Sequence, residues 1–590
     1  PGSGVCGAPG LRAIRRGRFS QPPGGDRAGT ALEHKAAGSR QADRSAASTG
    51  RGASDPECGG QGGDPLPRRE FRGGVARDDC PKELQKKIVR SVVEEVVVAP
   101  DEAEENLLFT IHWKGGTHTR FEMPKPPSGV GRKTSLEDVD IIRRMAGLGK
   151  VDLNSQSDCT DKQYRFADVT IIGGGVAGMH AALEAAENGA EVLLIDENPV
   201  LGGALNFARF KVEREQVRVL RNKLVSDVEQ HPGIEVLCDA QCTGWFEDNW
   251  LSVVVKRRLL KLRSQSVVIA SGSFEQPGIF RNNDLPGVML GSAAQRLIHL
   301  YGVKPGERAV VMTGNDDGYG VALDLMDAGV DLAAVIEMRN APEETALSKT
   351  VIERKIEILN EHSIYEAAPG PGKRSIKGVS VAPITGEGQL SEKRRDIDCD
   401  LLCVSVGYSP AAQLICHSGG RLIYDEQTAM LKVEALPRHG EGERSMVSGS
   451  LNGVFDLDAV IADGKHAGWS AANMLNINKN PQPELPELNP AANQNYPWPI
   501  FSHPEGKEFV DFDEDLQIKD IQQTVAEGYD DLELVKRYST VVMGPSQGRQ
   551  SALNNLRIAT KAAQKSLQGM SITTQRPPFH RRETPAAERN

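Results

Sequence analysis

The densest candidate chemistry in the chain is a glycine run, Gly173-Gly174-Gly175-Val176-Ala177-Gly178, set between two short apolar stretches. Asp168–Ile172 before it reads as a strand and the residues after it as a helix to about Asn188. Glu191–Ile195 reads as a second strand, ending in Asp196-Glu197. A dinucleotide-binding turn requires this βαβ context. Gly173 permits the tight turn, Gly175 lets a pyrophosphate approach the backbone, and Gly178 lets helix pack closely on strand. The helix start at Val176 and Ala177 turns amide donors and the positive end of the helix dipole toward phosphate. Asp196, 18 residues after Gly178, stands where an acid bonds an adenosine ribose hydroxyl, with Glu197 beside it. Gly203 in the next loop, Ser271-Gly272 in VVIASGS, and Gly449-Ser450 and Gly464 in VSGSLNGVFDLDAVIADGKHAGWSAA complete the expected cofactor-contacting set.

The pattern half-repeats downstream. Arg308–Thr313 reads as a strand, Gly314-Asn315-Asp316-Asp317-Gly318-Tyr319 as its turn, and a helix follows to Ala328. Asp331–Ile336, ending in Glu337, reads as the next strand. Asp316 stands at the second glycine position, where a carboxylate repels phosphate, and Tyr319 at the third, where its bulk is expected to block close packing. The expectation is a second scaffold without a nucleotide of its own.

Elements that present such turns need a sizeable α/β body, and the 590-residue length allows several domains. The expected fold class is α/β, with two nested Rossmann-like domains arranged as in flavoprotein disulfide reductases, a small helical C-terminal domain and a disordered leader. The boundaries are drawn at 1–79 for the leader, 80–146 for a separate fragment, and 147–300 with 430–480 for the outer dinucleotide domain. The inner domain takes 301–429 and the helical domain 505–590. Residues 1–79 carry 13 Lys+Arg against nine Asp+Glu and little apolar periodicity, so disorder is their default. No run of 18 apolar residues occurs, which excludes a helical membrane span. A net charge of −10 argues against nucleic acid as the partner of the main body. Nine cysteines without a CxxC exclude a disulfide-dense scaffold, thiol–disulfide redox chemistry and a zinc ribbon. No metal site is expected, and a cytoplasmic location is. Cys399 and Cys403, four apart near the apolar strand Leu401–Val406, are expected to share a face and pack as small hydrophobes. His180, His299 and His466 are read as packing or surface histidines.

Residues 80–146, in particular LLFTIHWKGGTHTRFEMPKPPSGVGRKTSLEDVDIIRRMA, resemble the C-terminal region of large serine recombinases, with a helix at Pro81–Ser91 and a β-hairpin turning at Gly115–Gly116. No recombinase catalytic domain precedes the fragment, and its last helix stops at Met145–Ala146. A DNA-binding role would rest on this fragment alone, and a chimeric join at 146/147 is the competing expectation.

Residues 147–590 resemble the alpha subunit of heterotetrameric sarcosine oxidase, with relatives in proline, hydroxyproline and opine dehydrogenases and hydrogen cyanide synthase. The stretches that carry this are DVTIIGGGVAGMHAALEAAENGAEVLLIDENPVLGGAL, NDLPGVMLGSAAQRLIHLYGVKPGERAVVMTGNDDGYGVALDL and KEFVDFDEDLQIKDIQQTVAEGYDDLELVKRYSTVVMGPSQGRQS. The resemblance implies NAD or FAD in the first Rossmann domain and FMN shared with a beta subunit. It also implies gamma and delta partners, and a small amine such as sarcosine oxidised on the beta subunit, so no catalytic residue is expected here. Ser450 replaces the Asp that related FAD enzymes place after the glycine. That favours an adenine dinucleotide without flavin-ring chemistry, an FAD-containing dehydrogenase subunit being the alternative. Relatives that hold a [2Fe–2S] cluster carry cysteines where this chain has Val510, Phe512, Ser546 and Ser551, so no cluster is expected. Lys536, Arg537, Gln547, Gly548, Arg549 and Ser551 are the FMN phosphate set that the resemblance implies, a solvated basic turn being the alternative. Sarcosine-type relatives continue after Arg576–Pro578 into a folate-binding domain; this chain ends at Asn590.

Overall fold

The structure, a computed structural model, describes residues 93–100, 106–113, 118–124, 161–437, 445–485 and 494–577. The leader, the helix expected at 81–91, the hairpin turn at Gly115–Gly116 and the junction at 146/147 lie outside them. Strands Val93–Pro100, Asn106–Trp113 and His118–Pro124 form an antiparallel three-stranded sheet. Its register sets Phe109 opposite Phe121, with the rings stacked 5.0 Å apart.

The first nucleotide fold begins at β1 (Asp161–Ile172), whose last four residues are buried. The glycine turn leads into α1 (Val176–Glu187), β2 (Val192–Ile195), α2 (Arg214–Gln230) and β3 (Ile234–Leu237). Strand β4 (Arg258–Ile269) pairs in parallel with β1 along its whole length. The parallel order β3-β2-β1-β4 is that of a doubly wound sheet, extended by an antiparallel hairpin, Ala240–Phe246 with Trp250–Val255, on the first half of β4. Near-continuous apolar strands such as VLLI suit a sheet covered on both faces.

After β5 (Ser273–Glu275) the chain enters the inner fold: α3 (Gly291–Tyr301), β6 (Arg308–Thr313), α4 (Asp317–Asp327), β7 (Asp331–Glu337) and β8 (Leu401–Ser405). Its sheet is fully parallel, in the order Val288–Leu290, β8, β6, β7, Ile358–Asn360. Val288–Leu290 and α3 therefore belong to the inner fold although they precede residue 301. The chain returns to the outer sheet at β9 (Ser445–Val447), parallel to the end of β4; Met430–Ala435 instead pairs with Arg421–Asp425. Helix α5 (Leu457–Asn473) then packs on α1. A Cβ on Gly464 would sit 2.5 Å from the Ala177 carbonyl oxygen and one on Gly468 2.2 Å from that of Ala181, so the two helix backbones touch. The C-terminal segment adds α6 (Ile518–Ala526), α7 (Leu532–Ser539) and α8 (Ala552–Ala562) over a core containing Val510, Ile521 and Val535.

Asp324 on α4, 1% exposed, joins four partners: it accepts from Arg209 at 3.0 Å, Arg214 at 3.2 Å and Gln295 at 2.9 Å, and lies 3.4 Å from His299. His299 thus belongs to an ion network that ties the two folds. Cys399 and Cys403 are both buried, but in different core clusters. The shared-face expectation fails because Cys399 precedes β8, so strand alternation does not relate the two. Burial pushes both thiols up, Cys399 to about 12. Among the described residues no helix is long and apolar enough to cross a membrane.

Candidate functional site

The turn between β1 and α1 opens on a cavity of about 2100 Å³. Gly173 has φ +112, and a Cβ there would lie 2.2 Å from the Ala270 carbonyl oxygen. A Cβ on Gly178 would lie 1.8 Å from the Gly173 oxygen, so helix and turn are in backbone contact. Gly175 differs: a Cβ there would meet only the Gly203 Cα, at 4.0 Å, because this residue faces the cavity. Two glycines close the turn and the third leaves room above a helix N-terminus, which is the shape a pyrophosphate fits.

Of the other expected residues, Val176, Ala177, Gly203, Ser271, Gly272, Gly449 and Ser450 also line the cavity. Gly178 and Gly464 do not; they set packing behind it. Asp196 and Glu197 part company. The Asp196 carboxylate is 6% exposed and accepts from the Gly174 amide at 2.5 Å and from the amide and side chain of Asn198 at 2.7 and 2.8 Å. Burial raises its pKa above the ordinary carboxylate range against those bonds. Asp196 therefore braces the glycine turn. Glu197, exposed, stands beside Asp196 on the same cavity wall. Across the cavity, Asp463 on α5 accepts from the Gly449 amide at 2.7 Å and the Ser448 hydroxyl at 2.9 Å, which fixes the Gly449–Ser450 turn.

The second glycine turn is filled by its own side chains. Arg339 bonds Asp316 at 3.0 Å and Glu337 at 2.8 Å, and the Tyr319 hydroxyl donates to Glu337 at 2.9 Å. Tyr319 does not block close packing, contrary to expectation. Helix α4 starts so that Gly318 meets the strand instead, with its would-be Cβ 2.2 Å from Thr313 Oγ1, and Tyr319 packs into the core.

Residues that motif spacing does not reveal also line the cavity. Glu275, 3% exposed, accepts from the Ser292 amide at 2.7 Å through Oε2, while Oε1 is buried without a hydrogen-bond partner. Burial pushes its carboxyl up to about 7. Asp317, also raised by burial, accepts from Tyr408 and Gln494, both at 2.8 Å. Arg296 lies over the Phe207 ring at 4.4 Å and Arg549 over the Phe274 ring at 4.9 Å.

The expected phosphate set in the C-terminal segment is divided. Arg549 lines the dinucleotide cavity, whereas Lys536 and Arg537 occupy the last turn of α7 away from it. Ser551 is 4% exposed and donates to Asp511 at 3.0 Å. Gln547 accepts from the side chain of Gln575 and the amide of Arg576, tying down the end of the described chain, and Gly548 packs against Val542. Val510 is a core residue, and Phe512 is 45% exposed.

Comparison with known proteins agrees with this architecture. The profile of the pyridine nucleotide-disulphide oxidoreductase family matches residues 167–433, and that of the sarcosine oxidase A3 domain matches residues 505–588. The alpha subunit of sarcosine oxidase from Rhizobium meliloti (strain 1021) is 29% identical over 455 residues, which are 74% of this chain and 44% of that protein. An opine oxidase subunit from Agrobacterium tumefaciens (strain Ach5) is 27% identical over 345 residues, 53% of this chain and 66% of that one. The crystal structure of L-proline dehydrogenase from P. horikoshii shares the fold at a TM-score of 0.53 and 20% identity, covering 73% of this chain and 81% of that one. The matched region spans under half the length of the sarcosine oxidase protein.

Proposed function

We propose that this chain is the dinucleotide-holding, alpha-type subunit of a sarcosine-oxidase-like complex in the cytoplasm, in which sarcosine is oxidatively demethylated on a partner beta subunit. The observation that carries the reading is the open Gly175 above the α1 N-terminus, between two glycines in backbone contact. Those amides hold the pyrophosphate of NAD or FAD, Asp196 and Glu197 stand at the ribose, and Asp196 also keeps the turn in shape. The bound dinucleotide supplies an anchored adenosine and a ring capable of hydride transfer. The inner turn, closed by Arg339, Asp316 and Glu337, takes no second nucleotide. FMN shared with the beta subunit remains part of the reading, with Lys536, Arg537, Gln547 and Gly548 on the segment that matches the A3 domain, whereas Arg549 faces the dinucleotide cavity. Ser551, turned inward, contributes to fold rather than phosphate. No iron–sulfur cluster is assigned, since Val510, Phe512, Ser546 and Ser551 carry no thiolate. Gamma and delta subunits complete the complex, and residues 80–146 form a recombinase-like appendage whose continuity with the rest is tested by amplifying source DNA across the 146/147 codons.

Similarity to the opine oxidase protein supports a second reading, a dehydrogenase-type alpha subunit with FAD in the same site. Denaturing the purified chain and identifying the released nucleotide by chromatography separates the two: NAD supports the first and FAD the second. A chain that releases no nucleotide, binds none on titration and retains no beta subunit on co-expression sinks both.

A further inference from the structure

Two guanidiniums on the cavity wall, those of Arg296 and Arg549, take part in no salt bridge among the described residues, whereas their neighbours Arg209, Arg214 and Arg339 are all paired. Each instead lies over an aromatic ring, Arg296 4.4 Å from the Phe207 centroid and Arg549 4.9 Å from that of Phe274. A cation–π contact holds a guanidinium without engaging its N–H donors in an ion pair, which leaves those donors for a phosphate. The two arginines are also electrostatically close. Burial disfavours the Arg549 cation, the Glu197 carboxylate favours it, and the like charge of Arg296 disfavours it. An anion between them would relieve that repulsion.

The position is next to the glycine turn. Phe207 follows the short helical turn Gly203–Asn206, and a Cβ on Gly203 would lie 2.9 Å from Gly175 Cα. Arg549 comes from another part of the chain, just before α8. Its carbonyl accepts from Gln276 at 3.3 Å and its amide bonds Ser546 at 3.1 Å, so the backbone beneath it is fixed to the residues that follow Phe274.

We propose that Arg296 and Arg549 form a two-armed clamp on the phosphates of the dinucleotide, so that the C-terminal segment completes the cofactor site and is itself held in place by the cofactor. The inference rests on the dinucleotide reading above. It makes cofactor binding and the docking of the C-terminal segment reciprocal: whatever tightens one tightens the other. A dinucleotide in this position ties two parts of the chain together whether or not its ring reacts.

The test is titration calorimetry on the full chain, stripped of nucleotide, with NAD, FAD and adenosine as probes. The Arg549→Ala and Arg296→Ala variants are each expected to bind the retained dinucleotide at least tenfold more weakly, with Arg549→Lys in between. Adenosine, which has no phosphate, is expected to bind wild type and variants alike. Added salt is expected to weaken dinucleotide binding more in wild type than in Arg549→Ala. Hydrogen exchange over residues 544–562 is expected to slow on dinucleotide binding in wild type and not in Arg549→Ala. Unchanged dinucleotide affinity in both alanine variants overturns the clamp, and so does an equal loss of adenosine and dinucleotide binding, which marks a damaged pocket. A wild-type chain that binds no dinucleotide overturns the proposed function instead, so the two failures are distinct.

Discussion

Replacing Glu275 with Gln separates burial from charge at the cavity floor. In the folded chain this carboxyl is buried, and one oxygen accepts the Ser292 amide while the other has no hydrogen-bond partner. Burial raises its pKa from 4.5 to about 7. The folded state therefore holds a proton that the unfolded state releases, and stability falls as pH rises from the ordinary value through about 7. At 1.36 kcal/mol per pH, the ionised carboxylate costs about 3 kcal/mol of stability above that window. Glutamine keeps the shape: its oxygen can accept the Ser292 amide, and its amide group can turn toward Ser405, whose hydroxyl already donates to Asn315. Glu275→Gln is expected to match wild type near pH 5 and to exceed it near pH 8.5 by about 2–3 kcal/mol. Urea or thermal melts at both values read this out, at roughly 2–4 °C per kcal/mol for a cooperative unit of 150–250 residues. A stability difference that stays flat across that range refutes the reasoning.

Other perturbations report on other parts of the account. Gly175→Ala meets open space, so it is expected to leave the melting temperature of the nucleotide-free chain unchanged while weakening dinucleotide binding at least tenfold; titration and melting on one sample check both. Gly178→Ala puts a methyl 1.8 Å from the Gly173 oxygen, so both stability and binding are expected to fall, by about 2–4 kcal/mol in stability. Asp324→Ala removes the shared acceptor of Arg209, Arg214 and Gln295 and is expected to cost about 2–4 kcal/mol in denaturant unfolding. Burial pulls the His180 imidazole down to about 4, helped by Lys465, so the stability it allows at neutral pH is lost as pH falls from 6.5 toward 4. His180→Leu is expected to flatten that part of the pH–stability curve, measured against wild type.

What the sequence reveals and what it hides have physical reasons. The first glycine turn is legible because strand, turn and helix follow one another in sequence, from Asp161 to Glu187, and its glycines fall at the two backbone contacts and the one open position that the turn needs. The doubling of the fold is legible for the same reason. Spacing names Asp196 for the ribose but does not reveal that its buried carboxylate also braces the Gly174 amide, with the exposed Glu197 beside it on the same cavity wall. Motif alignment places Tyr319 at the packing position, but the start of α4 hands that position to Gly318. The arginine pair is hidden because each guanidinium finds its ring far along the chain, Arg296 on Phe207 and Arg549 on Phe274. The burial of Glu275, whose carboxylate accepts from the Ser292 amide, likewise comes from packing that no local pattern encodes.

The most direct test of the central claim is the nucleotide content of the purified chain beside its Gly175→Val variant. The account predicts one adenine dinucleotide released per wild-type chain on denaturation and none from the variant, with both chains melting at the same temperature once stripped. A wild-type chain that neither carries nor binds a dinucleotide, or a Gly175→Val variant that holds it as tightly as wild type, would contradict the account.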